Sequence, residues 1–122
     1  MTDLSITVTV LPAGDGVCSV VRLAGEADLT STGLRDALTA AMACGPRLLL
    51  VDMSALSFID SGATQMIIAA YQVFRHEGGT LALVSPGPVV ARVLELTGVS
   101  ERITVYGCVD EALTSAGLDH TG

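Results

Sequence analysis

The spacing of apolar residues changes several times along the chain, and each change marks a new element. Leu4, Ile6, Val8 and Val10 alternate with Ser5, Thr7 and Thr9, the period of a strand with one polar face. Leu11 to Gly16 (LPAGDG) is turn chemistry. Val17 to Ala24 reads as a second strand, so the first two strands are expected to form an antiparallel hairpin. Gly25-Glu26-Ala27-Asp28 breaks the pattern. A helix follows in which Leu34, Ala37, Leu38, Ala41 and Met42 form one stripe, with Thr30, Ser31 or Thr32 as its N-cap and Gly45-Pro46 as its stop.

Leu48-Leu49-Leu50-Val51 is an unbroken apolar run closed by Asp52, which suits a parallel strand covered on both faces. Met53 to Ile59 reads as a connection leading to Asp60-Ser61-Gly62. From there Ile67, Ala70, Tyr71 and Phe74 recur at helical spacing, until His76-Glu77-Gly78-Gly79 closes the helix. Thr80 to Val84 is another apolar strand. Ser85-Pro86-Gly87-Pro88 is a turn whose last proline suits the first position of a helix. That helix carries Val90, Val93, Leu94 and Thr97 and stops at Gly98. Ile103 to Tyr106 reads as a last strand, and Asp110 to Ala116 as a last helix capped by Asp110. Gly117 to Gly122 is expected to fray.

The order β-β-α-β-α-β-α-β-α predicts an α/β fold. It consists of a mixed, mostly parallel sheet, opened by an antiparallel hairpin, with about four packed helices. One domain over residues 1–122 is expected, its ordered core at about 4–116.

Composition narrows the function. Half the residues are hydrophobic and 16 % are charged, which excludes intrinsic disorder. The net charge is −7, from 13 acidic against 6 basic residues, and argues against nucleic-acid binding through phosphates. The absence of lysine removes Schiff-base and P-loop chemistry. Phe58, Tyr71, Phe74 and Tyr106 give no stacking platform for bases. No apolar run is long enough for a membrane span and no signal pattern opens the chain, so a cytoplasmic protein is expected. Cys18, Cys44 and Cys108 have neither metal nor disulfide spacing and read as small buried hydrophobes. No cofactor or metal site is expected.

The candidate site is the loop-to-helix junction at Asp60 and Ser61, on the edge of an α/β sheet where function gathers. Ser61 reads both as an N-cap and as a solvent-facing hydroxyl. His76 lies at the far end of the same helix, His120 lies in the tail, and the G-x-S-x-G elbow is missing, so a serine nucleophile is not expected. A serine modified by another enzyme needs no base of its own. Asp60-Ser61-Gly62-Ala63 also resembles the active-site signature of dimeric retroviral-type aspartic proteases. Those enzymes are nearly all β, whereas here the motif opens a helix.

Four pieces together resemble the STAS-domain family of anti-sigma factor antagonists. They are Leu23-Ala24-Gly25-Glu26-Ala27-Asp28, Leu50-Val51-Asp52-Met53-Ser54, Phe58-Ile59-Asp60-Ser61, and Gly78-Gly79 before the Leu81-to-Val84 strand. The resemblance spans about Leu4 to Ala116 and implies a single STAS-like domain with Ser61 as a regulatory phosphorylation site. It also implies partner switching. The unphosphorylated chain binds an anti-sigma factor that is a serine/threonine kinase, phosphorylation releases it, and a serine phosphatase resets the chain. The docking patch implied comprises Asp28, Thr30, Asp60, Ser61, Gly62, Thr64 and Gln65, with Thr64 and Gln65 on the exposed side of the helix. Thr64 and Ser57 are competing phosphorylation sites. Many family members carry Ser or Thr where this chain has Gly62. A monomer is expected, with weak dimerisation left open, and a non-phosphorylated STAS scaffold or sensor is the alternative module.

Overall fold

Five strands form one sheet in the order β1-β2-β3-β4-β5, with β1 (Ser5–Ala13) antiparallel to β2 (Gly16–Ala27) and every other neighbouring pair parallel. The computed structural model describes residues 4–13, 16–28, 32–43 and 45–115. Helices alternate with strands after the hairpin: α1 (Thr32–Ala43), β3 (Leu48–Ile59), α2 (Ser61–His76), β4 (Thr80–Val84), α3 (Pro88–Leu96), α4 (Val99–Arg102), β5 (Val105–Tyr106) and α5 (Val109–Ser115). The four-residue α4, begun by Gly98 at φ 79°, makes five helices among the described residues instead of about four.

The sheet separates two cores, as the period-2 alternation of side chains requires. Val21, Leu23, Leu49, Val51, Leu81 and Leu83 face α1 to α4, whereas Cys18, Val20, Leu48, Leu50, Ala82 and Val84 face Ala112 and Leu113 of α5. Both faces of β3 are therefore covered along Leu48–Val51, which is why that stretch is continuously apolar. In α1 the expected stripe holds, with Leu34, Leu38 and Ala41 buried and Ala37 and Met42 half-buried. Ile67, Ala70 and Phe74 of α2 are buried as well, with Tyr71 half-buried.

β3 does not end at Asp52. It continues to Ile59 alongside β2, which itself runs through Gly25 to Ala27, while β4 pairs with β3 only as far as Asp52. The connection expected at Met53–Ile59 is thus a two-stranded ribbon extending beyond the sheet. Two register shifts explain why its pattern is not that of a strand. Arg22 pairs with Asp52 and Ala24 with Ala55, then Gly25 with Leu56 and Glu26 with Phe58. β3 carries an extra residue at each shift, so its buried positions fall at Met53, Leu56 and Ile59, a spacing of three. Asp52 accepts a hydrogen bond from the Ser54 backbone N–H at 2.9 Å at the first shift, and Gly25 takes φ 100° at the second.

Other expectations shift locally. Val8 and Val10 of β1 are 44 % and 51 % exposed, since on their face the core under α1 to α4 takes in Leu4 and Ile6 but neither valine. Cys18 is fully buried and its thiol is pushed up to about 11 by desolvation, whereas Cys108 is exposed and is not a core residue. Asp110 stands in the first turn of α5 rather than capping it, where its charge still favours the helix dipole. The α1 cap candidates Thr30 and Ser31, the side chain of Thr32, Cys44 and the tail from 117 lie outside the described residues. Gly78 adopts φ 89° and Gly79 packs against the ring of Phe74, so this pair turns α2 into β4.

Candidate functional site

Asp60 stands where the β2–β3 ribbon ends and α2 begins, and the fold holds it on every side. Its N–H donates to the Ala27 carbonyl at 3.0 Å. With φ −102° and ψ 178° it has the extended backbone of an N-cap, and its Oδ1 accepts from the Ala63 N–H at 2.9 Å. Its carbonyl accepts from both the N–H (3.0 Å) and the Oγ1–H (2.7 Å) of Thr64. Asp60, not Ser61, is therefore the helix cap. Ser61 becomes the first helical residue, exposed and relieved of the capping role.

The structure brings only part of the expected patch together. Ala27 and Ile59 are register partners, so Asp28 and Asp60, each one residue further on, emerge side by side at the ribbon's end. Asp28, Asp60 and Gly62 are half-buried; Ser61 and Gln65 are exposed. Thr64 is 1 % exposed and does not lie on the outer side of the helix. Its hydroxyl is spent on the Asp60 carbonyl, and its position three before Ile67 and one after Ala63 puts it in the buried stripe of α2. Thr30 lies outside the described residues. Ser57 is exposed, and its hydroxyl donates to the Gly25 carbonyl at 2.9 Å, tying it across the ribbon.

Two features were not legible in the sequence. Phe58, two residues before Asp60, is 41 % exposed, an aromatic ring on the surface near the end of β3. Only the second register shift puts it outside, so no periodicity could reveal it. The other feature is a groove of about 530 Å³ between α1 and α2 that begins at Gly62. Of its lining on α1 (Arg35, Leu38, Met42) and on α2 (Gly62, Met66, Val73), only Leu38 and Met42 belong to the apolar stripes read from the sequence.

What the arrangement offers chemically is an exposed hydroxyl at a helix N-terminus, with two carboxylates at the end of the ribbon that leads into it. Among the described residues no group of three or more His, Cys, Asp or Glu could hold a metal. Asp60 works as a helix cap in an α/β fold, which is not the setting of a dimeric all-β aspartic protease. No helix among the described residues is long and apolar enough to cross a membrane.

This sheet, with a serine opening the helix after its central strand, defines a STAS domain. The family's model matches residues 10–112, and the chain belongs to that family. Among its relatives, the anti-sigma-F factor antagonist RsfB of Mycobacterium tuberculosis is 30 % identical over 111 residues, 90 % of this chain and 88 % of RsfB. The crystal structure of an anti-sigma factor antagonist from Mycobacterium paratuberculosis is 36 % identical, covers 91 % of this chain and 93 % of that one, and superposes with a TM-score of 0.76. The anti-sigma factor antagonist SpoIIAA in its unphosphorylated form, at 20 % identity, shares the fold with a TM-score of 0.74 over 93 % of this chain and 96 % of its own.

Proposed function

We propose that this chain is an anti-sigma factor antagonist switched by phosphorylation of Ser61. The unphosphorylated form binds an anti-sigma factor that is a serine/threonine kinase, and so frees the sigma factor in the cytoplasm. The kinase transfers a phosphoryl group to Ser61 and the complex dissociates; a serine phosphatase restores the starting state. The chain is substrate and ligand here, not catalyst. The observation that carries this reading is the division of roles at the junction: Asp60 caps α2 and leaves the exposed hydroxyl of Ser61 outside the cap hydrogen bond.

The energetics support a switch in binding rather than in folding. A phosphoryl group adds a charge of about −1.5 to −2. At a helix N-terminus the unpaired N–H groups and the dipole favour an anion by ~0.3–1 kcal/mol, so the fold tolerates it. In a docked complex the same charge, beside Asp60 and Asp28, would be buried without a partner at a cost of ~3–5 kcal/mol. At ~1.4 kcal/mol per tenfold, that loosens the complex by two to three orders of magnitude. Phe58 supplies the aromatic anchor such an interface concentrates its affinity on.

The test combines intact mass with peptide mapping of the chain from its own cells and binding assays against its anti-sigma factor. One phosphoryl group on Ser61 is expected, with Ser61→Ala binding as wild type and Ser61→Glu at least a hundredfold weaker. A phosphoryl group on Ser57 would move the site. Wild-type affinity of Ser61→Glu would sink the switch. No phosphoryl group under either resting or stressed growth would turn the reading to a non-phosphorylated STAS scaffold or sensor.

A further inference from the structure

The two edges of the sheet differ. β5 is two residues long, whereas β1 runs for nine, Ser5–Ala13, and pairs on one side only, with β2. Its register with β2 is unbroken from end to end, so no bulge turns this edge away. The Val17 carbonyl accepts from the Arg47 N–H at 3.2 Å, which aims the backbone groups of Val17 away from β1 and leaves its register partner, Pro12, outside the ladder. Hydrogen-bonded and non-hydrogen-bonded pairs alternate along an antiparallel ladder. The N–H and C=O groups of Ile6, Val8 and Val10 therefore point outward as well, and Pro12, with no N–H to offer, adds a carbonyl. Among the described residues no strand pairs with them.

We propose that this edge docks a second copy of the chain, the two β1 strands pairing antiparallel about a twofold axis at Val8. Three observations select a second copy. The stretch is complementary to itself: with Val8 opposite Val8 of the second copy, Ile6 meets Val10 and Leu4 meets Pro12. Every outward N–H from Ile6 to Val10 then finds a carbonyl, and the N–H that Pro12 lacks falls at the end of the ladder. Charge permits it. The chain carries −7 in all, yet Leu4 to Ala13 holds no charged side chain, so two acidic proteins meet here without like charges set opposite each other. Lysine, the usual guard of such an edge, is absent, and Pro12 stands at its end rather than its middle. Exposure is the third observation. On the face of Val8 and Val10, α1 covers Ile6, where a Cβ on Gly33 would stand 3.7 Å from the Ile6 Cδ1. Pairing brings the exposed Val10 of one copy beside the covered Ile6 of the other and joins the two Val8 side chains at the axis. One nine-residue strand is a small interface, below the ~1,200 Å² of stable complexes, so the dimer forms at high concentration and dissociates on dilution. The pairing does not depend on the proposed switch.

The experiment is sedimentation equilibrium of the full chain from about 10 µM to about 1 mM, the range of transient contacts. The mass should rise with concentration from 12.5 kDa toward twice that value. Val8→Lys, which sets like charges together at the axis from an exposed position, should hold the monomer mass throughout with an unchanged circular dichroism spectrum. A second arm reads the register. In a chain with Cys44 and Cys108 replaced by serine, which leaves only the buried Cys18, Val8→Cys should give a disulfide-linked dimer on air oxidation. Its two copies face each other with Cα atoms ~5.5 Å apart, within disulfide reach. Val10→Cys should not crosslink, because its copies stand four residues, ~13 Å, apart along the ladder. A mass fixed at 12.5 kDa at every concentration, wild-type dimerisation in Val8→Lys, or equal crosslinking at positions 8 and 10 would overturn the pairing. A monomeric wild type whose anti-sigma factor binding is lost in Val8→Lys would overturn it too, and give the edge to that partner.

Discussion

Asp60 joins the fold to the candidate switch, and paired substitutions separate its two contributions. Its carboxylate provides one cap hydrogen bond, to the Ala63 N–H at 2.9 Å, and one negative charge at the N-terminus of α2. Replacing an N-cap aspartate by alanine costs about 1 kcal/mol, within a range of ~0.5–2. The lost charge adds ~0.3–1 kcal/mol through the helix dipole. Asparagine keeps an acceptor of equal capping rank and loses only the charge. With an unfolding entropy of about 2.1 cal/mol/K per residue, 122 residues give ~0.26 kcal/mol/K, so 1 kcal/mol corresponds to ~4 °C. Asp60→Ala should therefore lower the midpoint of thermal unfolding at pH 7, followed by circular dichroism, by about 4–8 °C. Asp60→Asn should lower it by less than half as much. Equal losses in the two variants would refute the capping argument, and so would a loss under ~1 °C in Asp60→Ala. Affinity for the anti-sigma factor reads the other contribution: a drop in Asp60→Asn at unchanged stability would assign the charge itself to docking.

Three further substitutions follow from the packing. Thr64→Glu forces a charge into a site 1 % exposed, at ~3–5 kcal/mol, so the variant should be largely unfolded in circular dichroism, and peptide mapping of the folded wild type should find no phosphate on Thr64. Gly79→Ala would set a Cβ 2.5 Å from Cε2 and Cζ of Phe74, a ring only 4 % exposed, and should cost about 1–3 kcal/mol in urea unfolding. Ser19 is fully buried and its hydroxyl has no hydrogen-bond partner among the described residues, so Ser19→Ala should raise stability by about 1 kcal/mol; a destabilised variant would mean the hydroxyl is satisfied after all.

The elements that one periodic pattern describes were legible from the chain. The run Leu48–Val51 marks a two-sided strand, and α2 carries a single apolar stripe closed by Gly78 and Gly79. The ribbon was not legible, because its register shifts change the spacing of buried residues from two to three. Met53, Leu56 and Ile59 then match neither a strand nor a helix. The position of Ser61 was legible but its local role was not. Aspartate and serine are comparable caps, and the choice between adjacent candidates rests on which backbone takes the extended conformation; here that residue is Asp60, fixed by its bond to Ala27. Thr64 was placed on the wrong side of α2 because its hydroxyl satisfies a carbonyl that the sequence does not point to.

Because the residue before it caps α2, position 61 is outside the cap hydrogen bond, and its mutational history can differ from that of its neighbours. Exchanges there should leave stability near neutral, so selection on the codon acts through the partner alone. On the proposed switch, a change to alanine would leave an antagonist that cannot be silenced, without passing through an unstable intermediate. The same change at Asp60 or Thr64 would have to survive a loss of fold first.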